Sequence, residues 1–159
     1  MELTDFDVRD AGIVAGWSRS ADEADHWCSM RMHPFDPTIV RLWASETDTR
    51  AYFGREDGTP VAYGELWIDD DEAEVELGRL IVDPQARGNG HGVALVTGLI
   101  AAARHHHPTV TLRVRPDNKT AIGCYTSAGM QRADAADEAQ WNDGQPHEYH
   151  WFLAPQLPG

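Results

Sequence analysis

Only one of the 13 basic residues in this 159-residue chain, Lys119, is a lysine, and 26 aspartates and glutamates leave a formal net charge of −13. So acidic a chain repels nucleic-acid phosphates, which argues against DNA or RNA as a partner and favours cationic or neutral small molecules. Cysteine is scarce as well. Cys28 and Cys124 stand far apart without metal-ligand spacing, which speaks for two reduced thiols and against a disulfide framework or a metal site. No apolar run approaches the ~18 residues of a membrane span. The opening MELTDFDVRD is acidic where a secretory signal would be basic and then apolar. These absences lead us to expect a soluble, cytoplasmic protein without membrane partners. Internal repeats, linkers and low-complexity segments are missing too.

What is present is enough for a core. The length suits one domain, 1–159, and a 42% hydrophobic content with 6 tryptophans can fill it. The first half reads as a short opening strand followed by helices near VRDAGIVAGWS, SADEADHWCSM and PTIVRLWAS. Ser20 is placed to cap the second of these, with Glu23 completing a capping box. RAYFGR and PVAYGELWID then alternate as strands around the turn EDGT, which reads as a hairpin. In the next strand, AEVELGRLIV (73–82), the apolar residues slip phase: Val75 and Leu77 share one parity, Leu80 and Val82 the other. A one-residue bulge at Gly78-Arg79 would restore a single apolar face, and a strand end buried on both faces would equally abolish the alternation.

The strand ends in VDPQARGNGHG (82–92), where Gly88, Gly90 and Gly92 alternate beside Arg87. A helix interior would lose roughly 1 kcal/mol for each such glycine, so the run belongs to a turn. The helical segment VALVTGLIAAARHHH follows at once, with Val93, Val96, Leu99, Ile100 and Ala103 at helical spacing. Glycines leading into a helix suggest bare N–H groups receiving an anion, such as phosphate. A Walker loop would need a lysine, and the G-x-G-x-x-G fingerprint a glycine where Val93 stands. What remains is R-x-x-G-x-G: Arg87, Gly90 and Gly92. TVTLRV follows as a strand, so residues 73–82 and 109–115 form the parallel pair of a βαβ unit. A helix near 118–128, a strand from about Met130, the turn NDGQP and a closing strand HEYHWFL complete the reading.

This glycine motif resembles the acetyl-CoA-binding motif of the GNAT N-acetyltransferase superfamily. A second element lies where that family has it: in NKTAIGCYTSAGM, Asn118, Ala121, Tyr125 and Gly129 match Asn-x-x-Ala-x-x-x-Tyr followed by glycine, with Met130 in place of phenylalanine. The resemblance covers about residues 50 to 133. It implies an α/β (α+β) GNAT fold, a mixed, mostly antiparallel central sheet flanked by helices. In it the parallel pair, about 73–82 and 109–115, splays apart around the pantetheine of acetyl-CoA. It implies that the backbone N–H groups of Gly88, Asn89, Gly90, His91, Gly92 and Val93 hold the pyrophosphate beside Arg87, and that Ile81 and Val82 bond pantetheine. The Leu80 N–H, freed by a bulge, would polarise the thioester carbonyl. Tyr125 would protonate the departing thiolate, and Glu76 is the expected general base, with Glu74 or a water relay as alternatives.

Several of these residues also have plainer explanations. Tyr125 fits a core position on an amphipathic helix, Asn118 fits a helix cap, and Glu76 with Glu74 fits a solvated strand edge. His105, His106 and His107 read as helix-end residues and no metal is expected. Trp17, Trp27, Trp43 and Trp67 divide between core and acceptor pocket. The expected function is acetyl-CoA-dependent transfer to a primary amine, and the alternative is a non-catalytic acyl-CoA-binding module on the same fold. Glu65, Glu76, the segment SADEAD and the net charge of −13 suggest an electronegative entrance suited to a cationic amine acceptor. A homodimer is left open.

Overall fold

A computed structural model of the chain describes residues 1–157. Among these residues seven strands form one sheet in the order β1-β2-β3-β4-β5-β7-β6. The strands are β1 (Glu2–Asp5), β2 (Thr49–Glu56), β3 (Thr59–Asp69), β4 (Glu74–Val82), β5 (Thr109–Val114), β6 (Gln131–Arg132) and β7 (His150–Leu153). All neighbours are antiparallel except β4 and β5. The β2–β3 hairpin turns at Asp57 and Gly58, with φ of +49° and +80°. Two left-handed residues match the right-handed twist of the strands they join.

Helices cover both faces. On one side lie α1 (Ala11–Ala15), α2 (Ala21–Cys28) and α3 (Pro37–Ala44), whose Val14, Val40 and Trp43, with Trp17 from the turn after α1, pack on Phe53, Tyr63 and Ile81. On the other lie α4 (His91–Ala103) and α5 (Lys119–Ser127). There Leu95, Val96, Leu99, Ile100 and Tyr125 meet Leu66, Val75, Leu77, Val110 and Leu112. Alternation along each strand feeds the two cores, and each fully buried large apolar side chain contributes about 1.5–3 kcal/mol. No helix among the described residues is long and apolar enough to cross a membrane.

The chain departs from expectation at three places. Glu23 does not complete a capping box: Ser20 Oγ accepts from Glu23 N at 3.0 Å, while the Glu23 carboxylate turns to Arg87 at 2.8 Å and Arg19 at 3.5 Å. The helix after the glycines stops at Ala103, so His105 to His107 lie beyond it, and His107 reaches Asp70 at 2.6 Å. Finally, the strand after Met130 has only two residues, and a helix, α6 (Ala135–Asn142), stands where none was expected. Its sequence AADEAQWN has no apolar stripe. Side-chain bonds hold it in place: Glu138 takes both Arg132 and the Trp151 backbone, and Asn142 brackets Tyr149.

Candidate active site

The site is built on β4. Residues Glu74 to Gly78 pair with Asp69 to Glu65 of β3, and pairing resumes at Ile81 opposite Tyr63. Arg79 and Leu80 therefore oppose the single residue Gly64, the two-against-one count of a β-bulge. Arg79 takes φ of +52°. The extra residue restores the apolar phase: Val75 and Leu77 before it and Leu80 and Val82 after it all pack on the α4 side. The phase slip is thus a bulge and not a strand end buried on both faces. On the other edge the parallel ladder to β5 ends at Leu77 opposite Leu112. Beyond that pair the strands separate, and Leu80 lies outside both ladders.

Past Val82 the chain reaches Gly88 and Gly90, with φ of +84° and +80°. A residue with a side chain resists that conformation by roughly 1–2 kcal/mol. A Cβ on either would meet nothing within 4 Å, so conformation, not crowding within the protein, selects glycine here. The same open space lets a ligand come to backbone distance. Gly90 caps α4 without a side-chain bond, so the first N–H groups of the helix face outward with the positive end of its dipole. Arg87 is held by Val82 O at 3.1 Å and Glu23 at 2.8 Å. Asn89 turns its Nδ2 to Ala86 O at 3.0 Å.

From the facing side, Asn118 caps α5 through its Oδ1, 3.4 Å from Ala121 N, and the helix presents Tyr125. The ring is buried edge-on to Phe152 at 6.2 Å. Burial pushes the phenol above its ordinary pKa, so it stays protonated at neutral pH. Burial likewise raises the Cys124 thiol and disfavours a thiolate nucleophile there. Leu80, Ile81, Val82, Arg87, Gly88, Gly90, His91, Gly92, Val93, Asn118 and Tyr125 all line one cavity of about 560 Å³. Of the expected cofactor-binding residues, only Asn89 lies outside it.

Three residues of α2 also line it: Glu23, His26 and Trp27. Their spacing of three and four puts them on one helix face. The same helix is tied across the gap. Trp27 Nε1 donates to Arg79 O on β4 at 2.9 Å, and His26 Nε2 lies 3.1 Å from Asp117 beyond β5. The capping residue Ser20 and the Asp22-Glu23 pair mark α2 in the sequence, and the family resemblance, not a local signal, is what implies that this helix roofs the pocket.

Glu76 lies elsewhere. It directly opposes Trp67 and faces a second cavity of about 540 Å³, lined also by Asp48, Asp69, Asp70, Asp71 and Glu74. Arg113 grips its carboxylate at 2.7 and 3.2 Å; even so, burial leaves its pKa above the usual glutamate value. Burial and the neighbouring Asp69 and Glu76 raise Glu74 as well. Glu65 is 0% exposed and bonded to Arg79 at 2.9 Å, so it adds no charge to an open entrance, contrary to expectation. Asp22, Glu23 and Asp25 of the SADEAD segment also have arginine partners, Arg31, Arg87 and Arg115. Trp17 and Trp43 are core residues, Trp27 lines the first cavity and Trp67 the second.

Residues 17–130 match the sequence profile of the family described as Acetyltransferase (GNAT) family. The chain belongs to the GNAT acetyltransferase family. The match reaches into the N-terminal helices, beyond the stretch whose motifs are legible by eye. Mycothiol acetyltransferase of Clavibacter sepedonicus is a GNAT relative 32% identical over 145 residues, 82% of this chain and 46% of that protein. The chain spans about half the length of the curated relatives it matches. Among GNAT structures, AAC(6')-Ib in complex with paromomycin and acetyl-CoA superposes with a TM-score of 0.75 at 16% identity, covering 96% of this chain and 91% of that one. Spermidine N-acetyltransferase from Vibrio cholerae, in complex with CoA and spermine, does so with 0.69 at 12%, covering 96% and 92%. At such identities these likenesses establish the GNAT fold.

Proposed function

We propose that this chain is an acetyl-CoA-dependent N-acetyltransferase that passes the acetyl group directly to the primary amine of a small molecule or peptide. One observation carries the reading: the bulge residue Leu80, the left-handed glycine loop and Tyr125 converge on a single cavity. The cavity opens where β4 parts from β5. Acetyl-CoA fits its chemistry. The start of α4 suits a pyrophosphate, and the edge of β4 past Leu77 offers the Ile81 and Val82 backbone to the amides of pantetheine.

In this mechanism the amine nitrogen attacks the thioester carbon while the Leu80 N–H stabilises the oxygen that becomes negative. The C–S bond breaks as the carbonyl reforms, and the thiolate takes the Tyr125 proton, which solvent later restores. Glu76, reached through water from its own cavity, accepts the surplus proton of the amine; its raised pKa brings it nearer to neutrality than an exposed glutamate. The acidic lining of that second cavity supports a cationic acceptor. Acceptor complexes of structural neighbours, paromomycin in one and spermine in another, point the same way. A panel of amines incubated with acetyl-CoA and read by free CoA release tests the assignment. At least one primary amine should release CoA in step with acetylated product. Binding of acetyl-CoA with no release from any amine would favour the acyl-CoA-binding module.

A further inference from the structure

The mechanism leaves unused the most deeply buried charged group of the described residues. Glu65 sits in the middle of β3 with 0% exposure, where an ionised carboxylate persists only with its oxygens satisfied. They are satisfied. Tyr63 Oη donates to Oε2 at 2.5 Å, and Trp67 Nε1 and Arg79 Nη1 both donate to Oε1 at 2.9 Å. Tyr63, Glu65 and Trp67 alternate along the strand and so share one face.

Each of these contacts converges on the bulge. Arg79 is the residue with φ of +52°, a conformation that glycine adopts without the penalty a side chain brings. Its guanidinium lies between two indoles, 4.3 Å from the Trp43 ring and 4.9 Å from that of Trp67. Trp27 holds its carbonyl at 2.9 Å. Trp67 can lie flat over the strand only because Gly78 has no side chain, since a Cβ there would fall inside the indole. The next residue along is Leu80.

We propose that Glu65 is a positioning residue for acyl transfer: by anchoring the Arg79 guanidinium it locks the left-handed bulge and thereby aims the Leu80 N–H at the acetyl carbonyl. The inference rests on the reading that Leu80 polarises the thioester. An arginine replaces the glycine such a bulge would favour because its side chain supplies the anchor.

The Leu80 amide resonance, compared between CoA-bound and acetyl-CoA-bound protein, reads the aim of this N–H without any acceptor. In the wild type it should move downfield when CoA is replaced by acetyl-CoA. Glu65→Gln should lose most of that movement, and the double variant Glu65→Gln/Arg79→Gly should regain much of it, because glycine enters the left-handed conformation without the side-chain penalty that the anchor offsets. With any amine found to be acetylated, kcat should follow the same order, falling about tenfold or more in Glu65→Gln, part of what an oxyanion donor supplies. Should Glu65→Gln fail to fold, Glu65→Asp, with the carboxylate withdrawn by one methylene, should show a reduced response. A wild-type response kept in full by the folded Glu65 variant, or lost equally in the double variant, would overturn the role of Glu65. A wild-type amide indifferent to the acetyl group would instead refute the polarisation step itself.

Discussion

Replacing Arg79 by methionine keeps an unbranched side chain between the two indoles but strips Glu65 of its counter-charge. Burial already raises the Glu65 carboxyl above the ordinary value despite Arg79 and its other donors, and without the guanidinium it must rise further. The folded variant escapes the buried charge by taking up a proton. For a carboxyl that titrates near 4.3 when unfolded, that uptake costs about 3.7 kcal/mol at pH 7 and about 1 kcal/mol at pH 5. These values cap the electrostatic loss, and the lost stacking adds roughly 0.5–2 kcal/mol at either pH. Because the folded carboxyl lies above the unfolded one, the deficit grows as pH rises between the two values and fades as pH falls toward the unfolded one. Urea unfolding of wild type and Arg79→Met at both pH values measures the gap. It should be on the order of 3 kcal/mol at pH 7 and should shrink by about 2 kcal/mol at pH 5. An equal gap at both would mean that Arg79 contributes stacking alone and does not compensate Glu65.

Tyr125→Phe removes a hydroxyl and no packing volume, so stability and acetyl-CoA affinity should hold while kcat drops by roughly 10²-fold or more; a variant with full kcat would return Tyr125 to the core. Glu76 must be ionised to act as base, so wild-type kcat/KM should fall on the acid side at a pH above the ordinary glutamate range. Glu76→Gln should be slower and should lack that limb, and an unchanged limb would transfer the role to Glu74 or a water relay.

The parts of the site that rest on local backbone geometry were legible in the sequence. The alternating glycines marked the turn into α4, and the parity shift from Leu77 to Leu80 narrowed β4 to a bulge or a doubly buried end, because both leave marks within a few residues. Contacts made by folding were not legible. Glu65 reads as a solvated strand residue until the hairpin brings Arg79 against it, 14 positions away, and His26 meets Asp117 across 91 positions. Nor does the strand pattern show that Glu76 and Leu80, on opposite faces of β4, open onto different cavities. The helix α6 escaped notice because hydrophobic periodicity is the main helical signal. Its stability comes instead from Glu138 and Asn142 bonding to the β7 region.

Acetyl transfer by this chain requires acetyl-CoA in the gap between β4 and β5 with its pyrophosphate at the glycine loop. Calorimetric titration with acetyl-CoA, paired with thermal melting, tests this for the wild type and Gly90→Val. The wild type should bind, and at a ligand concentration 100 times Kd it should gain about 2.7 kcal/mol, or roughly 5–10 °C in Tm at 2–4 °C per kcal/mol. Gly90→Val, strained at φ of +80° and with a branched side chain in the ligand's path, should melt a few degrees lower and give neither heat nor shift. A wild type that melts unchanged at saturating acetyl-CoA, or a Gly90→Val variant that binds as tightly as the wild type, would contradict it.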